Sequence, residues 1–148
     1  MNLKDVFVEI ICDGHHVHPV ASNILMNVRG RENVVMVSDC MMAGGMSEGT
    51  YQLGEFPVKV KDGMARLENG SLAGSILQLK DAVKNVVDWG IAAPKEAIYM
   101  ASTAPAKSIQ LDSECGKIAE GYAADFIVLT PAMDLAATYL DGVCRFQA

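Results

Sequence analysis

The chain has no hydrophobic run approaching the ~20 consecutive apolar residues that a membrane-spanning helix needs. Its opening stretch, MNLKDVFVEIICDG, is partly apolar, but Asp5 and Glu9 interrupt it and no small-residue cleavage site follows. A secretory leader is therefore not expected, which favours the cytoplasm. Basic charge is scarce as well: 12 Lys and Arg stand against 18 Asp and Glu, a formal net charge of −6. Nucleic acid and anionic membranes both demand a basic face, so neither is an expected partner. An anionic ligand has to find local donors instead of a general positive field. The four cysteines, Cys12, Cys40, Cys115 and Cys144, form no CxxC pair and no zinc-like spacing. Reduced, mostly buried thiols are the expectation. Internal repeats and low-complexity segments are missing too.

What remains is a chain of 148 residues, 51% hydrophobic and 20% charged. That is one globular domain or part of a larger one, and a compact chain of this size buries roughly 68–70% of its unfolded surface. VFVEIIC at 6–12 and NVVMVSD at 33–39 have the mostly apolar, β-branched texture of buried parallel strands. Between them, Pro19 opens a helix in which Val20, Ile24 and Val28 share a face with Ala21 and Leu25 beside them, and Gly30 ends it. Strand, helix, strand with this crossover length is a parallel βαβ unit, hence α/β architecture. From Ala43 to Ser75 glycines and alternating residues take over, and KDG and ENG are good hairpin turns. ILQLKDAVKNVVDW at 76–89 predicts a helix with Leu79, Val83, Val86 and Val87 on one face. A second helix begins at Pro94, turns Ala97, Ile98 and Ala101 inward, and ends or kinks at Pro105. FIVLT, LAATYL and the DG turn that follows predict a small C-terminal β module.

Functional side chains of α/β barrels gather at the C-terminal ends of strands. Two such ends occur here, CDGHHVHP and SDC. Asp39 closes the second strand, where a carboxylate is costly to bury unless compensated; a helix cap and a catalytic role both fit. The only three histidines, His15, His16 and His18, invite a metal reading, yet adjacent His15 and His16 diverge on an extended backbone. Metal binding, structural hydrogen bonding and ligand contact all stay open for them. Gly14 allows close backbone approach to a ligand. SLAGS at 71–75 precedes the helix over 76–89, where small residues and free N–H groups can hold a polar or anionic group. Met41, Met42 and Met46 read as packing.

In order along the chain, ICDGHHVHP, VVMVSD, GGMSEGTYQLG, VKDGMARLENGSLAGS, MASTAPAKSIQL and GKIAEGYAADFIVL resemble the N-acetylglucosamine-6-phosphate deacetylases of the amidohydrolase superfamily. That resemblance implies a (β/α)8 barrel with a small β-sandwich domain. Residues 1–119 would supply the last two barrel strands and helices with an inserted hairpin region, and 120–148 the C-terminal strands of the sandwich. It implies hydrolysis of the acetamide of N-acetylglucosamine 6-phosphate, with a divalent metal such as zinc or iron activating water and Asp39 carrying the proton. It matches Asp13, Gly14, His15 and His16 to one substrate-contacting segment, with His16 the contacting imidazole, and Leu72, Ala73 and Gly74 to another. His18 with Pro19 then belongs to the helix start.

The family's metal ligands, a glutamate and two histidines, match nothing in this chain, so no metal site is carried over. Ser38 stands where threonine is common, Cys40 where alanine is, and Glu120 where proline is. An amino-sugar phosphate is the implied small-molecule partner, and the family implies a homodimer. The chain reads as a C-terminal fragment, inactive alone and prone to self-association unless the rest of the barrel is supplied. A non-catalytic sugar-phosphate-binding or interaction module is the competing reading, and a small metalloprotein using the three histidines a third.

Overall fold

The computed structural model describes residues 6–148. It opens with the βαβ unit: β1 (Val8–Ile11), α1 (Pro19–Arg29) and β2 (Val34–Val37), with β1 and β2 parallel and Val8 opposite Val34. Side chains of a strand alternate between faces. Ile10 and Cys12, with Val34 and Met36, enter the main core, where Leu77, Val83, Val86, Ala97, Met100 and Met26 meet them. Glu9 and Val37 belong to the other face, and Ile11 is only partly buried against this core. The expected burial of both strands holds for β2 but not for β1, of which only Ile10 is buried. Among the described residues β1 has one paired neighbour, so its second edge is open.

Helix α1 starts as expected, with Pro19 in its first turn, and stops at Gly30, whose N–H bonds to Met26 O. The face it buries differs from the expected one. Ser22 and Met26 are buried, whereas Val20, Ile24 and Val28 are 62%, 58% and 83% exposed. Apolar spacing identified a stripe but not its direction, because the two-stranded sheet is too narrow to cover more than the Met26 side.

The inserted segment forms the antiparallel sheet β3 (Gly49–Leu53), β4 (Phe56–Lys61) and β5 (Met64–Arg66). Its DG turn has positive φ at both Asp62 and Gly63, the arrangement that suits the twist of a two-residue hairpin. ENG turns the chain back so that Leu72 bridges Arg66. A second core of Met41, Ala43, Val58, Val60, Ala65 and Ala73 lies beneath this sheet.

Helices α2 (Leu79–Asp88), α3 (Pro94–Ala101) and α4 (Thr103–Ser108) follow. Helix α2 buries Ala82, Val83 and Val86, with Val87 packed against them and Leu79 at the exposed margin. In α3 Ala97 and Met100 are inward and Ile98 faces out, since inward positions three apart leave Ile98 one residue off the core-facing line. Pro105 neither ends nor kinks α3: the bend lies at Ser102, and Pro105 sits in the first turn of α4, where its missing N–H costs nothing. The C-terminal module is the antiparallel sheet β6 (Phe126–Leu129), β7 (Leu135–Leu140) and β8 (Val143–Gln147), largely exposed. All four cysteines are free; Cys12 is buried, but Cys40 and Cys144 are exposed and Cys115 is intermediate, contrary to the expected burial. Cys40 lies beyond the end of β2, and Cys144 on an edge strand. No described helix is long and apolar enough to cross a membrane.

Candidate functional site

The loops after β1 and β2 leave the same end of the parallel pair. His16 from the first and Asp39 from the second line one cavity of about 710 Å³, together with Val17, Leu25 and Val37. Four consecutive residues, Val8 to Ile11, also line it. Alternating side chains cannot all face one way, so the cavity is a trough running along the open edge of β1.

Asp39 sits two residues past the end of β2 with φ 47°, a left-handed conformation uncommon for a residue other than glycine. Four hydrogen bonds centred on Ser75 brace the segment. Asp39 O accepts the N–H of Ser75 at 2.8 Å, Met41 N donates to Ser75 O at 2.9 Å, and the buried Ser75 hydroxyl donates to Ser38 O while accepting Leu77 N–H at 3.0 Å. The side chain remains exposed, so the burial penalty weighed from sequence does not arise. Asp39 caps no helix: the next helix, α2, begins at Leu79 with Gln78 as its cap.

SLAGS therefore works differently from the expectation of free N–H groups at a helix start. Ser75 N–H goes to Asp39 and Ala73 N–H to Ala65 O at 3.0 Å. The Ala73 side chain is buried in the second core, and Leu72 pairs with Arg66. Gly74, at φ 63°, backs Asp39: a Cβ there would lie 3.1 Å from Asp39 O and 3.8 Å from Oδ2. Leu72, Ala73 and Gly74 thus stand behind the carboxylate and are not among the residues lining the trough.

The loop after β1 is tied to α2. Asn85 Nδ2 donates to Cys12 O at 2.9 Å, and Gly14, at φ 79°, packs so close to Trp89 that a Cβ would be 3.3 Å from the indole. Gly14 thus permits the turn and its contact with Trp89. Asp13 Oδ1 accepts the N–H groups of His15 and His16 at 2.8 and 2.9 Å. Its Oδ2 lies 2.7 Å from His16 Nδ1. Burial pushes the Asp13 carboxyl up, but the bonds from His16 N, the His16 ring and His15 N, with the charge of His16, outweigh it and hold it below the ordinary carboxylate value. Burial, helped by the Asp13 charge, pushes the Cys12 thiol up to about 12.

The three histidines part company. His15 is exposed and its ring lies beside the Gly63 turn, His16 faces the trough, and His18 caps α1 by accepting Val20 N–H at 3.2 Å. No three His, Cys, Asp or Glu side chains among the described residues gather into a possible metal site. The three-histidine metalloprotein is not formed. Asn85 and Trp89 had no assigned part in the sequence, and Ser75 figured only as the end of SLAGS. Asn85 carried no usable signal, since two residues on from Val83 it lies about 200° around the helix, off the apolar face; the bonds of Ser75 to Ser38 O and Leu77 N–H could not be read from SLAGS.

The amidohydrolase family pattern matches residues 4–144. The chain belongs to the amidohydrolase family. This amidohydrolase chain is 36% identical over 142 residues to N-acetylglucosamine-6-phosphate deacetylase of Vibrio furnissii, covering 96% of this chain and 35% of that protein. It is 35% identical over 139 residues to a putative N-acetylgalactosamine-6-phosphate deacetylase of Escherichia coli K12, covering 94% of this chain and 83% of that protein. Among solved structures, N-acetylglucosamine-6-phosphate deacetylase of Thermotoga maritima superposes with a TM-score of 0.91 at 36% identity, over 99% of this chain and 40% of that one. A Mycobacterium smegmatis deacetylase variant, solved in complex with N-acetyl-D-glucosamine-6-phosphate, gives 0.88 at 28% identity over 95% of this chain and 38% of that one. The amidohydrolase chain thus spans about a third of the Vibrio furnissii relative's length.

Proposed function

We propose that this chain supplies the proton-carrying carboxylate and a sugar-contacting loop of a deacetylase that hydrolyses the acetamide of an N-acetylated hexosamine 6-phosphate. In this reading β1 and β2 are neighbouring strands of a (β/α)8 barrel, with residues 120–148 in a small β domain, and the trough is the rim of the barrel's interior. The observation that supports it most is the shared cavity: Asp39 and His16 come from separate loops, 23 positions apart in the sequence, and line the same space.

The chemistry asked of Asp39 is modest. Water adds to the acetamide carbonyl, the C–N bond breaks, and acetate and the free amine leave. A carboxylate beside the reacting carbon takes the proton from water and returns one to the departing nitrogen. Asp39 is exposed to the trough and held by backbone bonds on both sides. His16 contacts the sugar phosphate. The Asp39 carboxylate is a single acidic group, and the described residues do not fit a metal site; in this reading any divalent ion is held by ligands outside the described residues.

The test has two arms. Calorimetry on the purified chain is expected to detect glucosamine 6-phosphate binding that His16→Ala weakens about tenfold, while no acetate is released from N-acetylglucosamine 6-phosphate with or without added zinc. Mixing with the N-terminal two-thirds of the Vibrio furnissii relative is expected to bring acetate release that Asp39→Asn lowers by about 10²–10⁴-fold. Binding that fails, or acetate release that Asp39→Asn leaves unchanged, removes the reading.

A further inference from the structure

Asp13 stands in the segment that resemblance matches to substrate contact, but its oxygens already have partners. Oδ1 accepts two backbone N–H groups, those of His15 and His16, and Oδ2 meets His16 Nδ1 at 2.7 Å. With its side chain only 10% exposed, little of the carboxylate is left for a ligand. An ionised carboxylate only accepts hydrogen bonds, so the proton in the 2.7 Å contact is on Nδ1. The other ring nitrogen, Nε2, has no protein partner among the described residues, and the ring lines the trough shared with Asp39.

We propose that Asp13 is a positioning residue and not a ligand contact: it fixes the proton of His16 on Nδ1 and so makes Nε2 the nitrogen that meets the ligand. Nε2 is then an acceptor for a ligand hydroxyl when the ring is neutral and a donor to a phosphate oxygen when the ring is protonated. The loop is built to keep this geometry. Asn85 holds the carbonyl of Cys12, and Trp89 closes against Gly14, so the aspartate cannot swing toward the ligand without breaking the turn that its own Oδ1 closes. The lowered acidity constant of Asp13 keeps it an acceptor throughout the neutral range.

Asparagine at this position makes a sharp test because it is isosteric and has one acceptor atom in place of two. The two backbone N–H groups require that oxygen, which turns the amide NH₂ toward His16 and forces Nδ1 to become the acceptor. The same swap in a Ser-His-Asp triad leaves the geometry intact and produces the wrong imidazole tautomer. The experiment is long-range ¹H–¹⁵N NMR of the ligand-free chain with ¹⁵N-labelled histidine at pH about 8.5, His16 being assigned through His16→Gln. Nδ1 of His16 is expected to carry a proton in the wild-type chain and to lose it in Asp13→Asn, while His15 and His18 keep their signals. A wild-type Nδ1 without a proton, or one still protonated in Asp13→Asn, overturns the proposal.

The ligand's identity rests on the function proposed above, so a second arm separates the two. Glucosamine 6-phosphate affinity is expected to fall about tenfold in both Asp13→Asn and His16→Ala. Loss in His16→Ala with none in Asp13→Asn refutes positioning. A wild-type chain that fails to bind the sugar phosphate strikes the function reading, and the tautomer measured without ligand still decides the role of Asp13.

Discussion

Asp13 and Asp39 are carboxylates in neighbouring loops with opposite commitments. Asp39 is held by its backbone and leaves its side chain exposed; Asp13 is held by its side chain. That difference has a pH signature. The folded-state acidity constant of Asp13 lies below its unfolded value of about 3.9, so its stabilisation is complete above that value and is lost as pH falls through the folded one. Asp13→Ala is therefore expected to cost about 1–2 kcal/mol at pH 7, the scale for hydrogen bonds to a charged group whose partners are exposed or part-buried. The penalty should shrink once the pH is below about 4. Urea unfolding of both proteins at pH 7 and pH 3 measures it, and an equal deficit at both pH values contradicts this account. Sequence made Asp39 and the histidine loop visible because a lone acid after an apolar strand and a histidine cluster after DG are local patterns. Spacing alone left His15, His16 and His18 undivided, and it was the family resemblance that set His16 toward a ligand and His18 at the helix start, where it caps α1; the place of His15 depends on the Gly63 turn, which is remote in sequence.

Elements were legible where period and punctuation agree. DG at 62–63 and at 141–142 places positive φ on both residues, and Gly30 and Pro19 bracket α1. Facing direction was less legible, as Val20, Ile24 and Val28 show, because periodicity identifies a stripe and only tertiary packing says what it meets. The tie between SLAGS and the end of β2 was invisible for another reason: it is an isolated parallel bridge between Cys40 and Ser75, made of backbone groups and one hydroxyl. Ser75 is 3% exposed and serves Ser38 O and Leu77 N–H at once. Ser75→Ala leaves both unpartnered in a buried place, so a loss of about 1–3 kcal/mol is expected by urea unfolding. In the complemented enzyme it should also lower acetate release, since Asp39 loses the support that sets its unusual φ. A stability change below ~0.5 kcal/mol would place Ser75 among ordinary surface substitutions and remove that support from the argument for a built Asp39.

The molecule as a whole exposes more than a compact chain of its mass. Its accessible surface is 9150 Å², against roughly 7,300 Å² from the scaling for compact monomers at 15.8 kDa. Part of that exposed surface is apolar, on the C-terminal sheet and, closer to the trough, on the α1 stripe of Val20, Ile24 and Val28 beside the edge of β1 that is unpaired among the described residues. An open strand edge next to uncovered valine and isoleucine is a template for pairing with another chain. Sedimentation velocity of the isolated chain is accordingly expected to show concentration-dependent association in the range of tens of micromolar, an order-of-magnitude figure for contacts with modest apolar area. Val20→Lys with Val28→Glu should weaken association if the α1 stripe contributes, and leave helix content by circular dichroism unchanged because neither side chain enters the core. Supplying a partner that pairs with β1 should suppress association even in the unsubstituted chain, since the same edge cannot be used twice. A compact monomer at every concentration tested would count against this account of the open edge.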